Sequence, residues 1–167
     1  MKPTLLLVED DRNDAFFMTR AFAKASQPAE VFVAHDGREA LRYLRGEGDY
    51  ADRARYPFPC LTLLDLNLPY VPGLQVLKQI REHPRLRKLI VVVLTSSLAD
   101  SDIEGAYAMG ANSYLTKATG LNEVQKLVDL LTEYWLKTNR LASSLADGAG
   151  PDQQCVAPSG PPDARLR

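Results

Sequence analysis

Only two cysteines occur in 167 residues. Cys60 heads an apolar run, Cys155 lies in a Pro- and Gly-rich stretch, and neither has a partner at metal-ligand spacing. No disulfide framework is implied; one buried and one exposed thiol in a reducing cytoplasm are expected. Neither charge sign is in excess, since 20 basic and 21 acidic side chains leave a net charge of −1. Nothing draws the chain as a whole to nucleic acid or to an anionic membrane. Long hydrophobic runs are also missing. The longest covers only 89–94, far short of the ~20 residues that cross a bilayer. The start, Met1-Lys2-Pro3, passes into Leu5-Leu6-Leu7-Val8 and then into acids, which is not the pattern of a secretory signal. There is no P-loop. The nearest glycine fingerprint, Gly46-Glu47-Gly48-Asp49-Tyr50-Ala51, follows a helical pattern instead of joining a strand to a helix. The expectation is a soluble cytoplasmic protein with no membrane contact.

What is present is enough apolar material for a core, 46% of the chain, and a length that fits one domain with a remainder. Short apolar runs lie at Thr4–Val8, 60–64, 89–94 and 114–115, with a weaker one at 31–34. The first and third alternate little, as strands buried on both faces of a parallel sheet do. Helical spacing fills the gaps. Met18, Ala21, Phe22 and Ala25 mark a helix within 11–26, and Ala40, Leu41 and Leu44 mark the next. Leu74, Leu77 and Ile80 run up to His83-Pro84, and Ile103, Ala106 and Tyr107 up to Gly110. Leu121, Val124, Leu127, Val128, Leu131 and Trp135 predict a single long last helix. Five β-α repeats predict an α/β fold: a flavodoxin-like (βα)5, doubly wound, with a five-stranded parallel sheet in the order 2-1-3-4-5. The domain is expected over 1–140. From 141 to 167 Ala, Ser, Gly, Pro and Gln dominate, which predicts a flexible tail that cannot bury enough surface to offset its ordering entropy.

Sheets of this kind bind ligands at the carboxyl ends of their strands. The first strand ends in Glu9-Asp10-Asp11 and the third in Asp65-Leu66-Asn67. Taken singly, these read as charged turns, with Asp11 and Asp14 as a helix cap pair. In the predicted strand order they are neighbours, so Glu9, Asp10 and Asp65 converge. Crowded carboxylates repel, and a hard divalent cation relieves the repulsion. Mg²⁺ suits carboxylate, carbonyl and phosphoryl oxygens. Asp10, Asp65 and the Asn67 carbonyl are the expected direct ligands, with Glu9 acting through water. The fourth strand ends in Thr95-Ser96-Ser97 and the fifth in Tyr114-Leu115-Thr116-Lys117, which aim a hydroxyl and an ammonium at the same pocket. Phosphoryl transfer asks for this set: in-line positioning and charge neutralisation, with little covalent chemistry from the protein. Asp65 is the expected nucleophile, Lys117 and Mg²⁺ the neutralising charges, and Thr95 the donor to the new phosphoryl group.

These residues resemble the receiver domain of two-component response regulators over about residues 2–137. Leu5-Leu6-Leu7-Val8-Glu9-Asp10-Asp11 is similar to the family's first strand and acidic pair. Asp65-Leu66-Asn67-Leu68-Pro69-Tyr70-Val71-Pro72-Gly73 is similar to its phosphoacceptor segment, and Thr95 and Lys117 to its hydroxyl and lysine. Gly110-Ala111-Asn112-Ser113-Tyr114 matches the approach to the fifth strand, and Tyr114 falls where the family places a switching aromatic. Within the family, Asp65-Leu66-Asn67-Leu68-Pro69, the long segment 46–59 and Tyr134-Trp135-Leu136 look most like the small regulators paired with bacterial phytochromes. The resemblance implies a phytochrome-like sensor histidine kinase as phosphodonor. It implies catalysis only of the protein's own phosphorylation and dephosphorylation. Two positions depart from the pattern. Ala118 stands where the family usually has a proline after a cis bond, so a trans bond is expected. Pro72 stands where an Asp is common.

The segment after 141 is too short and too polar for a DNA-binding output module, so output is expected through protein contacts. Leu130, Tyr134 and Leu136 add apolar surface to the last helix beyond one buried face and predict a homodimer through it. Switching would couple Thr95 and Tyr114 to that side of the domain. A haloacid-dehalogenase-type phosphatase would need an acid two residues after the nucleophile, where Asn67 stands. The remaining alternative is a degenerate receiver that binds partners without phosphorylation, and retention of Glu9, Asp10, Asp65, Thr95 and Lys117 argues against it.

Overall fold

Side chains alternate across a strand, and the first strand shows what that does here. In β1 (Thr4–Val8) Leu5 and Leu7 join one apolar cluster while Leu6 and Val8 join another, and all four are buried. Both faces of the strand are therefore covered, as the missing alternation in its sequence predicts. The computed structural model describes residues 2–140. The expectations for Cys155 and for the tail over 141–167 fall outside them.

β1 leads to α1 (Arg12–Lys24), β2 (Glu30–Ala34) and α2 (Gly37–Arg45). A short 3-10 turn (Gly48–Ala51) precedes β3 (Leu61–Leu64), α3 (Gly73–Glu82) and β4 (Val91–Thr95). α4 (Asp100–Ala108), β5 (Ser113–Thr116) and α5 (Leu121–Leu131) complete the order. The strands pair in parallel in the order β2-β1-β3-β4-β5, the predicted topology. Val8 lies level with Ala34 on one side and Leu64 on the other, and Leu64 lies level with Val93. The carboxyl ends of β1 and β3 are thus adjacent.

α1 and α5 cover one face through Met18, Phe22, Val128 and Leu131 on Leu5, Leu7 and Leu63. α2 and α3 cover the other through Leu41, Leu44, Leu77 and Ile80 on Leu6, Val8 and Leu64. Phe32 of edge strand β2 is capped by Tyr43 and Tyr56, with ring centroids 5.6 and 6.1 Å away, so the long 46–59 segment shields a sheet edge. Cys60 is buried, as expected, with Sγ 3.2 Å from the Thr4 carbonyl oxygen. Among the described residues no helix is long and apolar enough to cross a membrane.

The last helix corrects the expectation of a single regular element. After Leu131 the backbone widens into a π-helical segment (Thr132–Thr138). Leu136 then follows Leu131 by about one widened turn and enters the core with it, at 8% exposure. It is therefore not part of an outward apolar stripe. Leu130 and Tyr134 are exposed, at 63% and 53%.

Candidate functional site

The loop after β1 starts with a buried acid. Glu9 is 2% exposed and its N–H donates to the Ala34 carbonyl, which continues the sheet by one bond. Asp10, next along, faces solvent. Asp11 caps α1: its Oδ1 accepts from the N–H groups of Asn13 and Asp14 at 2.8 and 3.0 Å. Those two bonds hold the Asp11 carboxyl below its usual pKa. After β3, Asp65 is 4% exposed, and its N–H donates to the Val8 carbonyl at 3.1 Å. The Asn67 N–H donates to Asp65 Oδ1 at 3.1 Å. Carboxylate oxygens of Glu9, Asp10 and Asp65 all lie within 4.8 Å of one another.

Lys117 closes the group from the end of β5. Its Nζ donates to Glu9 Oε2 at 2.6 Å, to Asp65 Oδ2 at 2.7 Å and to Asp14 Oδ2 at 3.1 Å. Burial works against the ammonium, but hydrogen bonds to Asp65 and Glu9 outweigh it and hold its pKa above the usual lysine value. Burial raises the Glu9 pKa, an effect that Lys117 offsets only in part. The Lys117 N–H donates to the Thr95 carbonyl at 2.9 Å, and the Lys117–Ala118 bond is trans.

Thr95 is fully buried, and its Oγ1 is 3.4 Å from the Ser97 N–H. The Tyr114 hydroxyl donates to the Ser97 carbonyl at 3.0 Å, so both side chains meet the loop after β4. Burial also lifts the Tyr114 pKa. Glu9, Asp10, Asp65, Asn67 and Lys117 are thus brought together, with Thr95 and Tyr114 at the same sheet edge. Sequence reasoning did not find Asp14 as a partner of Lys117, because its role beside the α1 cap already accounted for it. It also did not find the close packing of Gly73. A Cβ there would overlap the Asp65 carbonyl oxygen and stand 2.7 Å from Leu66 Cα.

The donor set fits a hard divalent cation. Three carboxylates, those of Glu9, Asp14 and Asp65, contact one ammonium, and that of Asp10 lies within 4.8 Å of the Glu9 and Asp65 oxygens. Both Glu9 oxygens are engaged, one by Lys117 and one by the Asp11 N–H at 3.1 Å. The Asp10 carboxylate makes no hydrogen bond or ion pair with the described residues. All the ligands on offer are oxygens, which favours Mg²⁺ or Mn²⁺ over softer metals.

The sequence profile of the response regulator receiver domain matches residues 5–129. The chain belongs to that family. Receivers are signalling modules, and similar ones are known from several processes. Response regulator Rcp1 of Synechocystis sp. is 35% identical over 140 residues, which are 84% of this chain and 93% of that one. A probable methanogenesis regulatory protein of Methanothrix harundinacea, FilR2, is 40% identical over 81% of this chain and 85% of its own length. The crystal structure of the phosphorylated cyanobacterial phytochrome response regulator RcpA superposes with a TM-score of 0.79 at 39% identity. The match covers 84% of this chain and 99% of that one. A structure of Rcp1 is of its Mn²⁺-bound form, at a TM-score of 0.75 and 35% identity over 84% of this chain and 99% of that one.

Proposed function

We propose that this receiver, carried by residues 1–140 with 141–167 as an appended segment, accepts a phosphoryl group on Asp65 from a histidine kinase in the cytoplasm. One observation carries the reading: a single ammonium bridges buried Glu9 and Asp65 beside an Asp10 carboxylate that has no partner among the described residues. Asp10, Asp65 and the Asn67 carbonyl would hold Mg²⁺, with Glu9 reaching it through water. When bound, the cation supplies charge neutralisation at the phosphoryl oxygens.

The chain's own residues do the rest. An Asp65 carboxylate oxygen attacks phosphorus as the bond to the donor's imidazole nitrogen breaks. The imidazole leaves neutral, carrying the proton already on its other ring nitrogen, and an acyl phosphate remains. Lys117, held charged, moves its hydrogen bonding from the Asp65 carboxylate to the phosphoryl group. The Thr95 hydroxyl turns to donate to a phosphoryl oxygen, and Tyr114 takes up the space it leaves. Hydrolysis of the acyl phosphate by water resets the site, so the only reactions catalysed are on the protein itself. Output passes through protein contacts, including a homodimer through exposed Leu130 and Tyr134 on the last helix.

Likeness to RcpA and Rcp1 over nearly their whole lengths supports a phytochrome-like kinase as donor. The direct test is incubation with Mg²⁺ and acetyl phosphate, followed by intact mass. Wild type gains one phosphoryl group and Asp65→Asn gains none. An unlabelled wild type would instead favour a receiver that works by binding alone.

A further inference from the structure

The turn between β2 and α2 touches both loops that carry the acidic site, although it contributes no carboxylate to it. His35 Nδ1 lies 3.2 Å from the Glu9 carbonyl oxygen. Two residues on, Gly37 is buried, and a Cβ there would overlap the Val71 carbonyl oxygen and stand 2.8 Å from Val76 Cγ2. The Arg38 guanidinium carbon lies 3.7 Å from the Tyr70 ring centroid, within cation–π range.

Tyr70 is an unusual place to find order. It is 72% exposed, so burial does not fix it. Its φ is +64°, the only positive value at a non-glycine residue among the described residues. The Val71 N–H donates to the Pro69 carbonyl at 2.7 Å, which closes a γ-turn of the strained, positive-φ kind around it. Such a backbone persists only where its surroundings over-determine it. Here Gly37 packs under Val71 and Arg38 stacks on Tyr70. At the far end of the same loop, Gly73 packs on the Asp65 carbonyl and its N–H donates to Leu66 O at 2.9 Å. The loop from Asp65 to Gly73 is thus pinned at both ends, with Asn67 between.

We infer that the β2–α2 turn is a positioning element for the cation site: Gly37, by having no side chain, and Arg38, by stacking on Tyr70, fix the loop that presents the Asn67 carbonyl. His35 fixes the facing loop through Glu9. The inference rests on the reading of Asp65, Asp10 and Asn67 as cation ligands. It predicts that residues outside the acidic cluster set the affinity for Mg²⁺.

The test is calorimetric titration of the whole chain with Mg²⁺ alone, beside thermal melts and the Mg²⁺ dependence of labelling by acetyl phosphate. Gly37→Ala forces Val71 away and weakens Mg²⁺ binding by about tenfold or more, the effect usual for the outer support of a metal site. Arg38→Ala, at an exposed position, weakens it about two- to fivefold, as loss of one exposed cation–π contact allows. Both variants shift the Mg²⁺ concentration for half-maximal labelling in the same proportion, while circular dichroism of Arg38→Ala matches wild type. A folded Gly37→Ala with wild-type Mg²⁺ affinity overturns the inference. If Gly37→Ala does not fold, Arg38→Ala decides alone, and wild-type affinity there overturns it equally. Wild type that binds Mg²⁺ but is not labelled by acetyl phosphate removes the acceptor reading and leaves this inference standing on the calorimetry.

Discussion

Replacing Lys117 with methionine isolates the electrostatics of the site. The side chain keeps its length and loses its charge. Two nearly buried carboxylates then lose their cation, since the Glu9 and Asp65 side chains are 2% and 5% exposed. Breaking a buried ion pair by removing one partner costs about 3–5 kcal/mol. Lys117 is itself 17% exposed, and solvent reaches Asp10 beside it, so the lower end applies, about 3 kcal/mol. With a urea m-value of roughly 2 kcal/mol/M, the unfolding midpoint in chelator at neutral pH falls by about 1.5 M. Two further features of the loss follow from its cause. Mg²⁺ stabilises whatever state binds it, by about 2.7 kcal/mol at a hundredfold excess over its dissociation constant. Without Lys117 it no longer shares Asp65 with an ammonium, so a given Mg²⁺ concentration raises the variant's midpoint more than that of wild type. Burial already raises the Glu9 pKa above its ordinary value. A raised acid favours the protonated folded state, so its contribution to stability is complete below the ordinary carboxylate range and is lost as pH rises through the folded pKa. Removing Lys117 raises that pKa further, so the deficit is largest at neutral pH and shrinks on acidification. A variant as stable as wild type in chelator at neutral pH, or one that Mg²⁺ stabilises no more than wild type, refutes this account.

Gly73→Ala pushes a methyl group into the Asp65 carbonyl and is expected to cost about 1–3 kcal/mol in urea unfolding and to slow labelling by acetyl phosphate. Leu136→Ala removes a buried side chain and is expected to cost about 2–4 kcal/mol. Leu130→Ala, at an exposed position, stays within about 0.5 kcal/mol but lowers the dimer fraction in sedimentation at micromolar concentration.

The sheet was legible because each strand carries its own signal. Five apolar runs separated by helical spacing admit few topologies, and the buried, unalternating β1 and β4 are found where that pattern places them. The acidic group was legible for a chemical reason, since Glu9, Asp10 and Asp65 end neighbouring strands and have no structural use for so much like charge. What escaped depends on contacts that local sequence does not encode. Leu131 and Leu136 are five residues apart, a spacing that belongs to neither an α-helix nor a strand, so helical periodicity points Leu136 outward. Gly37 begins an ordinary amphipathic helix, and nothing near it says that the Val71 carbonyl will cross its α-carbon. Asp14 had a sufficient explanation as part of the α1 cap, and only the fold brings Lys117 to it.

The widened turn at the end of the last helix makes local winding a determinant of what the domain shows its neighbours. Leu131 and Leu136 share the buried side because the Thr132–Thr138 segment spreads about one turn over five residues. Wound instead as ordinary α-helix at about 100° per residue, the same five steps would put Leu136 about 140° around the axis from Leu131 and out of the core. Deleting one residue between the two would restore the four-residue spacing of an α-helix and keep both inside. A single-codon deletion there would therefore remove the widened turn and leave this face as it is.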